Sequence, residues 1–163
     1  MDREQGFSLV ELIIVLAIIA ITLNVALPPF KSAVDRGRLA EAVSLFVGAL
    51  HYARDSAVIG RELVSVCAGQ VSCTGSQNWQ SDLLIFNDQN KNGQFDNNET
   101  LLRKIATPPD FSVHWSNFRN ASYLQYESDG TTRALNGTFT LCHENQPRMQ
   151  VVINLTGRVR TQA

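Results

Sequence analysis

The N-terminal apolar segment constrains this chain most, because the stretch from Phe7 to Leu27 contains one charged side chain, Glu11. A helix rises about 1.5 Å per residue, so a segment of this length matches the roughly 30 Å hydrocarbon core of a bilayer. A carboxylate inside such a segment is costly unless it finds a partner, and it is therefore functional by default. The sequence predicts a membrane-spanning helix over 7–27.

The flanks of this segment are atypical of a secretory signal peptide. Only residues 1–6 precede it, Arg3 is offset by Asp2 and Glu4, and no small-x-small cleavage site follows the apolar run. A cleavage, if one occurs, would fall at Gly6-Phe7 and would leave the apolar helix in the mature protein.

The segment Gly6-Phe7-Ser8-Leu9-Val10-Glu11-Leu12 resembles the class III signal of type IV pilins and type II secretion pseudopilins. In that family a prepilin peptidase cuts after the glycine, and the new N-terminal phenylalanine is methylated. The resemblance implies a leader over 1–6, cleavage after Gly6 and methylation of Phe7. It also implies that Glu11 meets the N-terminal amine of a neighbouring subunit during assembly. A buried carboxylate and a buried ammonium are each costly alone and tolerable together.

A second helical stretch is expected over 28–61. Pro28-Pro29 should kink or interrupt the helix near the membrane interface, because proline removes a backbone donor and clashes with the preceding turn. Apolar residues then recur every three or four positions, and Gly60 is a plausible stop. This recurrence comprises Leu39, Val43, Phe46, Leu50, Ala53 and Ala57.

Beyond this helix the pattern changes to strands separated by turn signals such as Asn92-Gly93 and Asn136-Gly137. The predicted strands are Leu63–Val66, Leu83–Phe86, Leu101–Ile105, Phe111–Trp115, Tyr123–Glu127, Phe139–Cys142, Met149–Leu155 and Arg158–Thr161. One long helix against antiparallel strands predicts an α+β fold, with a β-rich head over 62–163 that faces the periplasm.

The head also carries a series of short motifs in a fixed order. In chain order they are Trp79 with Leu84-Ile85-Phe86-Asn87-Asp88, Asn92-Gly93, Leu101-Leu102-Arg103, Ser128-Asp129-Gly130 and Phe139-Thr140-Leu141-Cys142. This order resembles the minor pseudopilin group that contains GspH and FimT. The ending Thr156-Gly157-Arg158-Val159-Arg160 matches a Gly-Arg-x-Arg motif of FimT-type members, so the resemblance is closer to FimT. It implies a type IV pilin-like fold.

Some FimT-type proteins bind DNA during natural transformation, and the resemblance would place phosphate contacts on Arg158 and Arg160. Two residues apart in a strand, both guanidiniums point to the same face and each can fork onto a phosphate without reading sequence. Other basic residues would extend the patch if the fold gathers them: Lys104, Arg119, Arg133 and Arg148. The alternative is that the two arginines protect an exposed edge strand from pairing with other chains.

A calcium-loop pattern, D-x-N-x-N-G, begins at Asp88 and places a glutamate at its twelfth position. Its candidate ligands are Asp88, Asn90, Asn92, Gln94, Asp96 and Glu99. The flanks resemble strands rather than the paired helices of an EF-hand, and Asp, Asn and Gly suit turns without any metal. Calcium with a structural role and a metal-free turn both stay open, and no other cofactor is predicted.

Cys67 and Cys73 flank a short loop and could form a disulfide in an oxidising compartment, which would leave Cys142 as an odd thiol. Pairing that involves Cys142 stays open, since spacing does not define connectivity. The three cysteines form no zinc pattern, and no Ser-His-Asp or Cys-His spacing stands out, so the sequence predicts a protein that is not an enzyme.

The expected function is a minor pilin or pseudopilin that primes or caps a type IV pilus or a type II secretion pseudopilus. Double-stranded DNA is a candidate partner, alongside other pilins, prepilin peptidase and the inner membrane. The alternative is a tip subunit of a type II secretion pseudopilus that contacts secreted proteins and binds no DNA. Either way the expected location is a single pass of the bacterial inner membrane, with the head in the periplasm.

Overall fold

The structure is a computed structural model that describes residues 8–143 and 146–162, without the side chains of residues 23–29 and 31. A single long helix, α1, runs from Leu9 to Gly60. Nine strands follow it: β1 Val64–Ala68, β2 Asn78–Trp79, β3 Leu83–Asn87, β4 Thr100–Ile105, β5 Phe111–Asn117, β6 Tyr123–Tyr126, β7 Gly137–His143, β8 Gln146–Ile153 and β9 Val159–Gln162.

The chain divides into two compact units, one up to Arg38 and one from Leu39 onward. In the first unit every residue from Ser8 to Thr22 is exposed, although most of them are large and apolar. Backbone hydrogen bonding continues the helix through residues 28 and 29, so Pro28-Pro29 does not interrupt it. Each proline removes only its own donor, while the flanking turns keep theirs.

No helix among the described residues is long and apolar enough to cross a membrane. The span expected over 7–27 includes Phe7 and the side chains of residues 23–27, which lie outside the described part of the chain. The leader over 1–6, with the cleavage residue Gly6, lies outside it as well.

The second unit packs the C-terminal part of α1 on two antiparallel sheets. The buried face of the helix consists of Ala42, Phe46, Ala49, Leu50, Ala53 and Ala57. The spacing of three and four residues places these side chains on one face, and the many alanines let the sheets approach closely. The helix ends at Gly60, and Arg61 then adopts a left-handed conformation with φ 56°.

One sheet has four strands in the order β4-β3-β1-β6, and the other has five in the order β2-β5-β7-β8-β9. An aromatic cluster fills the core between helix and sheet, where the rings of Trp115 and Phe139 stack with centroids 3.8 Å apart. Both buried indoles are satisfied, because Trp79 donates to the Ser122 carbonyl and Trp115 to the Tyr123 carbonyl.

The prediction of an α+β fold with a long N-terminal helix on antiparallel sheets is confirmed. All eight predicted strands are present. The prediction omitted strand β2, because its two residues are too few to show a period.

Candidate functional site

The Gly-Arg-x-Arg segment lies at the edge of the five-stranded sheet. Among the described strands, β9 pairs with β8 alone, with Val159 opposite Ile153 and Arg160 opposite Val152. Ile153 is buried and Val159 half-buried, so the alternation of side chains places Arg158 and Arg160 together on the outward face. Both arginines are exposed, and neither forms an ion pair with another described residue.

The turn before β9 is held by Asn154. Its side-chain Oδ1 accepts hydrogen bonds from the Arg158 backbone N–H at 2.9 Å and from the Thr156 hydroxyl at 2.8 Å. Gly157 adopts φ +73°, a conformation that L-residues rarely take, and its N–H donates to the Asn154 carbonyl. The backbone that presents Arg158 is therefore ordered before any ligand binds.

Arg54 of helix α1 fastens this turn to a second one. Its Nε donates to the Gly130 carbonyl at 3.0 Å, and its Nη2 donates to the Thr156 carbonyl at 3.2 Å. The two turns approach so closely that a Cβ at position 157 would lie 2.0 Å from the Gly130 oxygen. Arg54 was not among the functional residues predicted from the sequence. The available signal was its position directly after Ala53, a residue of the apolar stripe.

Tyr126 lies beneath these turns with a buried hydroxyl that has no hydrogen-bond partner among the described residues. Burial raises the pKa of Tyr126 above its ordinary value of 10.0, and the positive charge of Arg54 opposes that rise. The tyrosine is therefore neutral at physiological pH, and Arg54 carries the local charge.

The structure does not gather all the predicted basic residues on one strand pair. Lys104 lies on β4 of the other sheet, where its ammonium contacts Asp82 at 3.1 Å and donates to the Gln70 carbonyl. Arg133 forms an ion pair with Glu127 at 3.1 Å. Arg148 is exposed on β8, the partner strand of β9. Arg119 is exposed in the loop after β5.

The predicted calcium loop connects β3 to β4 and is held by hydrogen bonds to its own carboxylates. Asp88 is buried and accepts hydrogen bonds from the N–H groups of Asn92 and Gly93, the Ser65 hydroxyl and the Gln125 amide. Four donors compensate the buried charge without any cation.

The other candidate ligands in this loop are engaged in the same way. Glu99 accepts from the N–H groups of Gln89 and Asp96, while Asp96 accepts from the side-chain amides of Asn90 and Asn92. Gln94 enters this network through its N–H, which donates to the Asn92 side chain. Among the described residues no group of three or more His, Cys, Asp or Glu side chains is arranged to hold a metal ion. Calcium binding and a metal-free turn therefore stay alternative predictions.

Cys67 and Cys73 are joined by a disulfide across Cα atoms 5.6 Å apart, and Cys142 is a half-buried free thiol. Gly69 makes this loop possible, since a Cβ there would lie 1.9 Å from the Ser72 carbonyl oxygen.

Glu11 lies in the first turn of α1, where its carboxylate is exposed. Its neighbours over several turns are uncovered apolar side chains such as Leu9, Leu12 and Ile14. The neighbouring Phe7, at which processing is expected, lies outside the described residues.

Comparison with known proteins adds two family matches. The model of the family described as type II transport protein GspH matches residues 42–157, and the prokaryotic N-terminal methylation motif matches residues 1–23. The first match covers well over half of the chain. The second match includes the predicted leader, and the first ends at Gly157, directly before Arg158.

Individual relatives agree with these matches. A fimbrial protein of Pseudomonas aeruginosa is 32% identical over 108 residues, which cover 66% of this chain and 70% of that protein. A fimbrial protein of Moraxella nonliquefaciens is 42% identical over 48 residues, which cover 29% of this chain and 31% of that protein.

Solved structures match the fold. A crystal structure of the type IV minor pilin FimU of Pseudomonas aeruginosa superposes with a TM-score of 0.59 at 21% identity. The superposition covers 77% of this chain and 92% of that one. A second crystal form of FimU gives a TM-score of 0.61 at 20% identity.

Proposed function

The chain belongs to the GspH family and is a minor pilin or pseudopilin of the type IV pilus or type II secretion kind, and we propose that it primes or caps such a filament. The N-terminal part of α1 supports this role. Its apolar side chains are exposed on all faces of the helix, and exposed apolar surface of this extent is stable only in lipid or against other subunits.

The same segment directs processing and assembly in our proposal. The prepilin peptidase cleaves after Gly6, Phe7 becomes the methylated N-terminus, and residues 7–27 hold the subunit in the bacterial inner membrane until it enters a filament. Glu11 then forms an ion pair with the N-terminal amine of a neighbouring subunit, because neither charge is stable alone in that surrounding. The Cys67–Cys73 disulfide fits a head in the oxidising periplasm.

Within this role the head binds double-stranded DNA without sequence preference. The observation that carries this part is the position of Arg158 directly before edge strand β9 and of Arg160 within it, both exposed and without an ion-pair partner among the described residues. Each guanidinium can donate two parallel hydrogen bonds to the oxygens of one phosphate. Arg148 on the neighbouring strand extends the positive surface along the sheet.

Lys104 lies on β4 of the other sheet, apart from the strands that carry these arginines. Its ammonium already contacts Asp82, so its net contribution to the attraction of phosphate is reduced. We expect Lys104→Ala to weaken DNA binding less than Arg148→Ala does.

Fluorescence anisotropy of a labelled duplex with the full chain in detergent micelles tests the DNA proposal. Arg158→Ala/Arg160→Ala should weaken binding at least tenfold and lower the salt slope of log K by about 2, because about two phosphate contacts are lost. The charge-matched control is Arg36→Ala/Lys91→Ala, which removes two positive charges elsewhere. Absence of binding at low salt, or an equal loss in the control, would refute DNA contact.

The second candidate is a type II secretion tip subunit that contacts secreted proteins and binds no DNA. The match to a type II transport family favours it. In that case Arg160 on β9 and Arg158 directly before it keep the exposed edge of the sheet from pairing with other chains. A duplex that fails to bind, together with aggregation of the Arg158→Ala/Arg160→Ala variant, would support this candidate.

A further inference from the structure

We propose that the loop between β5 and β6 binds single-stranded DNA, with Phe118 stacking on a base and Arg119 contacting a phosphate. The inference rests on the proposed DNA-binding function and extends it from the duplex to single strands. It adds an aromatic platform to a surface that otherwise offers only charge, a combination typical of single-strand binding.

The exposure of Phe118 is the first observation. Its side chain is 84% exposed, whereas the other phenylalanines of the head are buried at positions 46, 86, 111 and 139 and half-buried at position 95. Its neighbours in the chain are polar: Asn117, Arg119 and Asn120. Protein-binding hot spots lie at the centre of larger contact patches, whereas a base needs one aromatic face with a cation nearby.

The loop that carries Phe118 is ordered by its own hydrogen bonds. The Asn117 side chain accepts from the N–H groups of Arg119 and Ala121 and donates to the Ala121 carbonyl. Asn120 adopts φ 57°, and its side chain accepts from the Gln77 amide. A loop backbone that is already ordered loses little conformational freedom on binding, which favours affinity.

Strand register places this loop at the same end of the sheet as the arginine-bearing turn. Asn117 pairs with Gly137, Gly137 with Ile153, and Ile153 with Val159. Three strand spacings of about 4.8 Å separate Asn117 from Val159, about 14 Å in all. At the roughly 3.4 Å rise of one strand in a duplex, this distance corresponds to about four nucleotides, and a more extended single strand spans it with fewer. One short oligonucleotide can therefore contact Phe118, Arg119 and Arg158 together.

The charges at this end of the sheet favour a polyanion. Arg119 and Arg158 are exposed, while the nearby Glu127 is neutralised by Arg133 at 3.1 Å. Asp129 is turned to its own loop, where Oδ1 accepts from the N–H and the hydroxyl of Thr131. Leu155 is also a large apolar side chain exposed in a loop at this end, and it has no π face for stacking.

Anisotropy with a labelled twelve-nucleotide oligothymidylate and a duplex of equal length tests the proposal on the full chain in detergent micelles. Phe118→Ala and Phe118→Leu should each weaken single-strand binding about tenfold and leave duplex binding within about twofold, since stacking on one base is lost. Val71→Ala is the matched control, because Val71 is also 84% exposed but lies on the disulfide loop. Equal effects of Phe118→Ala and Val71→Ala on the single strand would overturn the proposal.

Phe118→Trp supplies an independent readout. The native tryptophans, Trp79 and Trp115, are fully buried, so the introduced indole is the one exposed to solvent. We expect single-strand affinity to be kept or improved and the exposed indole emission to be quenched on binding. Unchanged emission with bound oligothymidylate would contradict stacking.

The outcomes separate this inference from the proposed function. Duplex binding that depends on Arg158 and Arg160, with no effect of Phe118 variants on single strands, would keep the proposed function and overturn the inference. Failure of both probes to bind would overturn both. If Phe118→Ala left DNA binding intact but impaired incorporation into filaments, Phe118 would instead contact a neighbouring subunit, and the inference would be wrong.

Discussion

The Nε of Arg54 donates a hydrogen bond to the carbonyl oxygen of Gly130 over 3.0 Å, and this contact joins helix α1 to the β6–β7 turn. A second donor of the same guanidinium holds the Thr156 carbonyl in the β8–β9 turn. A single helical side chain therefore fastens two turns that are far apart in sequence. The position of Arg158, two residues after Thr156, depends on it.

Arg54→Met should lower the free energy of unfolding of the head by about 2 kcal/mol, because two carbonyls lose a charged donor while the aliphatic stem is kept. Arg54→Lys should recover only part of this loss, since an ammonium lacks the planar fork. Urea denaturation followed by tryptophan fluorescence measures both. Arg119→Met is the control, and a loss for Arg54→Met no larger than for that control would contradict the role of Arg54.

Gly157→Ala should destabilise the head by at least about 2 kcal/mol, because alanine disfavours the left-handed conformation and its Cβ would collide with the Gly130 oxygen. Gly48→Ala gives the opposite expectation. Gly48 lies in the helix with open space around its Cβ, so alanine there should stabilise by about 0.5–1 kcal/mol. Thermal unfolding measures the change in stability of both variants. Equal changes for Gly157→Ala and Gly48→Ala would show that the close contact at Gly157 does not affect stability.

Glu11→Ala should leave the amount of subunit in the membrane fraction unchanged but reduce its incorporation into filaments roughly tenfold or more, because an N-terminal amine would lose its charge partner. Glu11→Gln should fail similarly, since the amide keeps the shape without the charge. Thr22→Val serves as control, because the Thr22 hydroxyl donates its hydrogen bond within its own helix, to the carbonyls of Ile18 and Ile19. Immunoblots of sheared filaments measure incorporation, and normal levels for Glu11→Ala would count against the ion pair.

Asp96 should titrate below its ordinary pKa of 3.8, because the side-chain amides of Asn90 and Asn92 donate hydrogen bonds to its carboxylate. A lowered folded-state pKa contributes stability above the unfolded pKa, and this contribution is lost as the pH falls through the folded pKa. Carboxyl-carbon NMR titration measures the pKa directly. Asn90→Ala/Asn92→Ala should return it towards 3.8, and an unchanged value in that variant would reject these amides as the cause.

Calcium and a chelator should both leave the melting temperature of the head unchanged, because the carboxylates of Asp88, Asp96 and Glu99 already accept hydrogen bonds from their own loop. Asp88→Asn should lower the melting temperature with or without calcium, since the loss concerns the hydrogen bonds of a buried anchor. Differential scanning calorimetry tests both statements. A rise of several degrees with millimolar calcium, abolished in Asp88→Asn, would show that the loop binds the cation.

Periodicity was sufficient for most of the fold. The recurrence of Phe46, Leu50, Ala53 and Ala57 identified the buried helix face, and short segments between turn signals identified eight strands, because both signals lie within a few residues of each other. The interruption expected at Pro28-Pro29 does not occur, since α1 continues through both residues. The two-residue strand β2 was not predicted. Neither feature has a local pattern that distinguishes it.

The sequence by itself determined the family, the helix and the arginine pair, because these are written in contiguous residues. Only the tertiary structure decided which distant residues meet. Lys104 and Arg158 belong to different sheets, Arg54 reaches two turns, and strand register brings Phe118 to the end of the sheet that carries Arg158. Such meetings depend on long-range strand pairing and on close packing of the turns, which no local spacing encodes.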